Sequence, residues 1–159
     1  MAPPLHPSGP QRTTRFASVR MLSVMPFTAL GWVLTVLLGA RRRRLAGCLL
    51  AWSQPGGALA WLLAHHPFGP MAAVTIGRCV LAASRPALQA TWAHEAEHIR
   101  QFERFGLLFP LLYAADSLRC LLRGQSIYRD NRFEVAARLA ESKTAHQNLA
   151  GRRKPSSSV

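Results

Sequence analysis

The segment His-Glu-Ala-Glu-His places His94, Glu95 and His98 at a spacing that suits metal chemistry. Two histidines four residues apart lie on one face of a helix, so both imidazoles can bind one metal ion. A glutamate directly after the first histidine can serve as general base toward water that zinc activates. The pattern predicts a zinc site on a helix. The alternative is a surface helix with two solvated histidines and ion pairs such as Glu97 with Arg100.

A catalytic zinc ion needs a third protein ligand and one open position. The downstream side chains that could supply it are Asp116, Asp130, Glu134, Glu141 and His146. Glu134 is preferred because it begins a predicted helix that could cross the first one. The alternative is a capping box, in which Asn131 is the N-cap and Glu134 lies three residues later. The residues alone favour neither the metal ligand nor the capping box.

Several elements must position the motif. Ser84 and the following Arg-Pro predict the start of the motif helix, and Gly106 predicts its end. Residues 72–83 are rich in β-branched side chains and predict a strand. Upstream, LAGCLLAWS and ALAWLLAHH flank a Gly-Pro turn and could be hairpin strands or two short helices.

The predicted elements after the motif are an apolar helix, a loop and a last helix, which begin at residues 107, 124 and 131. Together with the short sheet upstream, they predict an α+β domain over residues 45–150. The three cysteines are widely spaced, which favours reduced thiols over a disulfide framework.

The N-terminal part has the features of a membrane segment. Residues 21–40 carry no charge, and twenty helical residues match a bilayer core of ~30 Å. Arginines flank both ends, and their counts slightly favour a cytoplasmic domain at the bacterial inner membrane. A signal peptide and a buried core helix are the alternatives. Residues 1–20 are predicted to be a disordered basic leader and residues 151–159 a disordered basic tail.

The charge is distributed unevenly. The net charge is +13, yet all seven acidic residues lie at or after Glu95, and the first 94 residues contain only basic charges. An acid-free apolar half suits membrane contact better than a solvated surface. Nucleic-acid binding is not expected, because aromatic residues are not interleaved with the basic ones.

HEAEHIRQFERFG, followed by an apolar helix and then YRDNRFEVAA, resembles a group of small uncharacterised bacterial proteins. These share HExxHxxQ, a nearby glycine and YRDN-x-FE-x-x-A, and the match covers about residues 72–140. The chain also resembles minimal gluzincin metallopeptidases. The resemblance implies a minimal zincin-like fold and zinc on His94, His98 and Glu134. It makes Glu95 the base, and it places Gln101 and Tyr128 beside the ligands or in a substrate cleft.

Two residues depart from the gluzincin pattern. Glu97 occupies an inner position of the motif that is commonly apolar, and Arg138 stands where an acid often follows the third ligand. Zinc binding is therefore better supported than peptide hydrolysis. The predicted function is a membrane-associated zinc hydrolase acting on a peptide or protein substrate. The alternative is a non-catalytic membrane protein that keeps the scaffold for structure or partner binding.

Overall fold

The structure is a computed structural model that describes residues 14–67 and 69–152, with side chains described between residues 22 and 147. It confirms the α+β class, with a four-stranded sheet and helices on both sides. The elements are α1 (Thr14–Leu37), β1 (Arg41–Leu45), β2 (Cys48–Trp52), α2 (Ala58–Ala64), β3 (Ala73–Ile76), β4 (Cys79–Ala82), α3 (Arg85–Phe105), α4 (Phe109–Leu122) and α5 (Arg132–Arg152).

The sheet has the strand order β1-β2-β4-β3, so β1 and β3 are its edges. Only the β2–β4 pair is parallel. The single strand predicted over residues 72–83 is a hairpin, because Gly77 has φ 63° and turns the chain between β3 and β4. A Cβ at Gly77 would lie 2.5 Å from the backbone nitrogen of Thr28, so this turn also needs glycine for close packing on α1.

Alternation along the strands builds a core on each face of the sheet. On one face, Leu50, Val80 and Ala82 pack with Leu88 and Ile99 of α3. On the other face, side chains of the intervening strand positions pack with α2 and the end of α1 (Ala51, Leu81, Leu59, Leu63 and Leu34). Of the two ambiguous apolar runs, the first is therefore strand β2 and the second is helix α2.

Helix α1 is an integral part of this domain. Gly31 packs directly on Cys79, and Thr28 Oγ1 accepts a hydrogen bond from the Arg78 N–H at 3.1 Å. The described part of the helix starts at Thr14, so residues 14–20 of the predicted leader 1–20 are helical. Residues 1–13 of that leader lie outside the described residues.

The ends of the predicted domain 45–150 also differ from the structure. Arg41 to Arg44, read as a cluster beside the membrane, form the exposed edge strand β1, where charge discourages edge-to-edge pairing. At the other end α5 continues to Arg152, two residues into the predicted tail 151–159. Residues 153–159 are outside the described residues.

Among the described residues, one helical stretch is long and apolar enough by length and composition to cross a membrane, Arg85–Leu122. It is bent at Gly106, whose φ of 57° ends α3 before a short 3₁₀ turn leads into α4. Residues 21–40, the segment predicted to span a membrane, are helical as far as Leu37. Its described apolar part, Leu22–Leu37, is shorter than the ~20 residues that a bilayer core requires.

The N-terminus of α5 is fixed to α4 by two buried side chains. Asn131 Oδ1 accepts from the Phe133 N–H at 2.9 Å, and its Nδ2 donates to Tyr113 O at 3.1 Å. Asp116 Oδ2 accepts from the Arg132 N–H at 2.7 Å, at the positive end of the helix. These contacts set where α5 starts.

Asp116→Asn is expected to lower the free energy of unfolding by about 1–3 kcal/mol at neutral pH, because charge-assisted bonds to a helix terminus and two arginines are lost. Hydrogen bonds from Arg119 and from Arg132 lower the pKa of Asp116 to about 2. Its contribution is therefore fully present above the unfolded pKa and is lost as pH falls from there through the folded pKa of about 2. Urea unfolding should show the two proteins converging in acid, whereas Glu97→Gln should match wild type throughout.

Candidate metal centre

Helices α3 and α5 pack together and bring two histidines and one carboxylate to a single point. His94 Nε2 and His98 Nε2 are 3.1 Å apart, and each lies 3.3 Å from an oxygen of Glu134. The three side chains are nearly buried, with exposed fractions of 12%, 11% and 4%. All three candidate ligand atoms lie within 4.8 Å of one another, so this group could hold a metal ion.

The donor set and its spacing fit zinc. Zinc–ligand distances of about 2.0–2.1 Å with tetrahedral angles put neighbouring donors about 3.3 Å apart. The two Nε2 atoms are 3.1 Å apart, and each lies 3.3 Å from its nearer Glu134 oxygen, Oε2 for His94 and Oε1 for His98. Two imidazole nitrogens and one carboxylate also suit zinc chemically. Glu134 Oε2 is buried and faces His94 Nε2 at 3.3 Å without a well-formed hydrogen bond, although burial of a poorly satisfied carboxylate oxygen is costly. A metal ion would satisfy it.

A hydrogen-bonded partner orients one of the two imidazoles, that of His98. Gln101 Nε2 donates to Phe133 O at 3.0 Å, so its Oε1 faces His98 Nδ1 at 2.8 Å. The Nδ1 of His98 must then carry the proton, which leaves its Nε2 lone pair facing Glu134. His94 Nδ1 lies 3.8 Å from a carboxylate oxygen of Glu141. The residue predicted to support the ligands, Gln101, is thus placed to do so.

The predicted base, Glu95, lies next to the ligand group and is 4% exposed. Its Oε2 accepts a hydrogen bond from Thr75 Oγ1 on β3 at 2.6 Å. Burial raises the pKa of Glu95 above its ordinary value, against the lowering effect of Thr75 and of His98. A carboxyl group with a raised pKa, held in one rotamer, suits proton transfer near neutral pH.

Two tyrosines adjoin Glu134. Tyr113 on α4 donates its O–H to Glu134 Oε1 at 3.0 Å. Tyr128 in the loop before α5 is half exposed and lines the same cavity. Burial and the negative charge of Glu134 raise the pKa of Tyr128 to about 12, so its hydroxyl stays protonated. The resemblance predicts Tyr128 beside the ligands or in a substrate cleft, whereas the contact of Tyr113 with the ligand carboxylate is not predicted.

Tyr113→Phe is expected to weaken zinc binding by about 10–100-fold, the usual cost of removing a group that orients a metal ligand. The ring still packs on Phe109 and Phe133, so the fold should be retained. Competition with a calibrated zinc chelator measures the change. Thr144→Val is the control, because it removes a hydroxyl on the exposed part of α5 that contacts only Ala140 O. An equal loss in that variant would contradict the assigned role of Tyr113.

The ligand group opens into a cavity of about 830 Å³. Strand β3, α3, α4, α5 and the loop before α5 all contribute to its wall. Most of the lining is apolar and includes Val74, Phe109, Pro110 and Ile127. Its titratable members include Glu95 and Tyr128. Because β3 is an edge strand, its backbone borders the cavity without a strand partner on that side.

The other candidate ligands have structural contacts elsewhere. Asp116 and Asp130 bind arginines or backbone N–H groups, and His146 Nδ1 contacts Ser142 O on the exposed part of α5. Thr75 could have been anticipated, since it alternates with Val74 and Ile76 along the strand. Tyr113 carried no signal, because the contact depends on how α4 packs on α5.

Comparisons with known proteins give no family assignment. No protein family, curated protein or solved structure matches the chain. The resemblance to gluzincins stays a prediction, and the function proposed below rests on the residues of the site.

Proposed function

We propose that the chain is a membrane-associated, zinc-dependent hydrolase that cleaves peptide bonds, with a minimal zincin-like domain. One observation carries the proposal. His94, His98 and Glu134 converge on the wall of a large cavity, with one ligand atom from each within 4.8 Å of the others and the carboxylate of Glu95 beside them. Two imidazoles and one carboxylate facing a cavity suit a zinc site that keeps one position open.

Each residue has a distinct role in the proposed reaction. When bound, zinc would supply Lewis-acid activation of water and of a carbonyl oxygen. The two histidines and Glu134 hold it, and Gln101 keeps His98 in the required tautomer. Glu95 takes a proton from water and returns it to the leaving amine. Tyr128 can donate its O–H to the oxygen on which negative charge develops.

The edge strand β3 supports a peptide as substrate. An extended peptide can pair with a free strand edge through its backbone, which positions it with little dependence on its sequence. Thr75 on this strand already contacts Glu95, so a peptide paired with β3 would lie alongside the proposed base. The same edge would not help to bind a compact small molecule.

Zinc content tests the proposal directly. Purified wild-type protein should contain stoichiometric zinc by mass spectrometry of the metal, and His94→Ala should contain none. His146→Ala is the matched control, because His146 is exposed and lies outside the ligand group. Wild-type protein that binds no zinc under conditions where it is folded would end the proposal.

Membrane association is supported by the outer faces of α1 and α4. Exposed leucines cover one side of α4 and the turn before it, namely Leu107, Leu108, Leu111, Leu118, Leu121 and Leu122. Helix α1 exposes a second apolar set that includes Leu22, Leu30, Trp32, Val33 and Leu37. The two helices adjoin where Gly106 packs on Ser23. Large exposed apolar surfaces mark sites that contact a membrane or a partner.

The double variant Leu111→Glu/Leu118→Glu is expected to reduce binding to lipid vesicles by at least about tenfold, because each leucine contributes about 1.5–3 kcal/mol when fully buried. Vesicle flotation measures the bound fraction. Leu139→Glu is the matched control, since this exposed leucine lies on α5. Unchanged flotation of the double variant would exclude the α4 face as the attachment surface.

A further inference from the structure

The wall of the cavity contains one arginine close to the ligand group. Arg138 follows Glu134 by four residues on α5 and lines the same cavity. Its Nη2 donates to Arg129 O, while its Nη1 is buried without a hydrogen-bond partner. Among the ion pairs of the described residues, none involves Arg138. Within the part of the chain that the structure describes, no carboxylate lies within ion-pair distance of this positive charge.

A guanidinium in this position has a clear chemical preference. Leaving a buried charged donor unpaired is costly, and the planar guanidinium matches a carboxylate through two parallel hydrogen bonds. The three nearby glutamates have other partners. Glu95 contacts Thr75, Glu134 faces the histidines, and Glu141 approaches His94 Nδ1. The missing partner of Arg138 is thus best supplied by a ligand.

We infer that the cavity binds the free C-terminal carboxylate of an apolar peptide at Arg138, so that the site removes the last residue of its substrate. This inference rests on the proposed function and adds the substrate class to it. The largely apolar cavity would accept the side chain of the terminal residue. The arginine distinguishes a free carboxylate from a continuing chain or an amide.

The spacing allows both contacts at once. Residues four apart on a helix have Cβ atoms about 5–6 Å apart, which is the offset between Glu134 and Arg138. Consecutive Cα atoms of a peptide are about 3.8 Å apart, so the scissile carbonyl and the terminal carboxylate of the substrate are separated by a similar distance.

In the proposed reaction, water adds across the peptide bond. The C–N bond breaks, a C–O bond forms, and the proton taken by Glu95 passes to the amino group of the released residue.

The test compares two probes that differ only at the C-terminus. The probes are N-acetyl-Ala-Phe-Leu with a free C-terminal carboxylate and the same peptide with a C-terminal amide. Each is titrated by calorimetry into the zinc-loaded Glu95→Gln protein, because this substitution slows turnover enough for binding to be measured. We expect the acid to bind at least about tenfold more tightly than the amide, as for a charge-assisted bond. When Arg138→Gln is combined with Glu95→Gln, the acid and the amide should bind with equal affinity. Adding Arg138→Lys should retain part of the difference, because the charge remains without the planar fork.

The matched control adds Arg100→Gln, an equal change of charge at an exposed arginine on α3 that pairs with Glu97. It should leave the preference for the acid unchanged. Equal binding of acid and amide by zinc-loaded protein, or a preference that survives Arg138→Gln, would overturn the inference. A protein without zinc would instead contradict the proposed function, so the two failures are distinguishable. In the wild-type enzyme, mass spectrometry should show release of leucine from the acid and none from the amide.

Discussion

Glu134→Ala is expected to abolish stoichiometric zinc binding, while the protein remains folded. The carboxylate lies 3.3 Å from both histidine Nε2 atoms, and no other acidic group of the described residues faces those nitrogens. With only two imidazoles remaining, the ligand group loses one of its three protein ligands and its one carboxylate. Zinc content by mass spectrometry, together with circular dichroism, measures the outcome.

The matched control for this loss is Glu141→Ala, on the same helix two turns later. Glu141 approaches the Nδ1 of His94 and not the ligand nitrogens, so its removal should leave zinc stoichiometric. If Glu134 acted only as a capping-box residue, Glu134→Ala would cost about 1 kcal/mol of stability and keep the metal. Retained zinc in Glu134→Ala would therefore support the capping interpretation and refute the ligand assignment.

Glu95→Gln is expected to reduce peptide hydrolysis by about 10²–10⁴-fold, the usual contribution of a positioned general base. Glutamine keeps the size of the side chain and can still accept the hydrogen bond from Thr75 Oγ1. It cannot take a proton from water. Zinc content should stay equal to that of wild type, because Glu95 is not among the three ligand residues.

Turnover of a peptide library by wild type, Glu95→Gln and Glu97→Gln measures this effect. Glu97→Gln is the matched control, since Glu97 pairs with Arg100 near the surface and does not line the cavity. Activity that persists in Glu95→Gln would show that another group moves the proton. A wild-type protein that holds zinc without turnover would favour the alternative of a non-catalytic membrane protein that keeps this scaffold.

Local signals predicted the helix that carries the motif. Ser84 Oγ accepts from the Ala87 N–H at 3.2 Å, and the left-handed Gly106 follows Phe105, so the structure confirms both ends of α3. The i and i+4 spacing then places His94 and His98 side by side without further information. These features depend on neighbouring residues only, which is why the sequence was sufficient.

Features that depend on distant contacts were not predictable in this way. The hairpin turn at Gly77 could not be distinguished from a continuous strand, because its packing on Thr28 involves residues about fifty positions apart. The arginine run became an edge strand through pairing with β2. Asn131 could be recognised as a helix cap. That Glu134 faces the histidines and not the helix start depends on how α5 crosses α3.

Helix α5 packs mainly on α3, and much of its C-terminal half is exposed. Besides this packing, the contacts of Asn131 and Asp116 hold its first turn, and the candidate ligand group lies one turn further. A bound metal would act as a cross-link between two helices that the chain joins only through α4 and a loop. A chelator would then loosen the first turns of α5 and the cavity wall that they form, while the packing on α3 keeps the domain folded. Metal supply would thus affect the shape of the cavity as well as its chemistry.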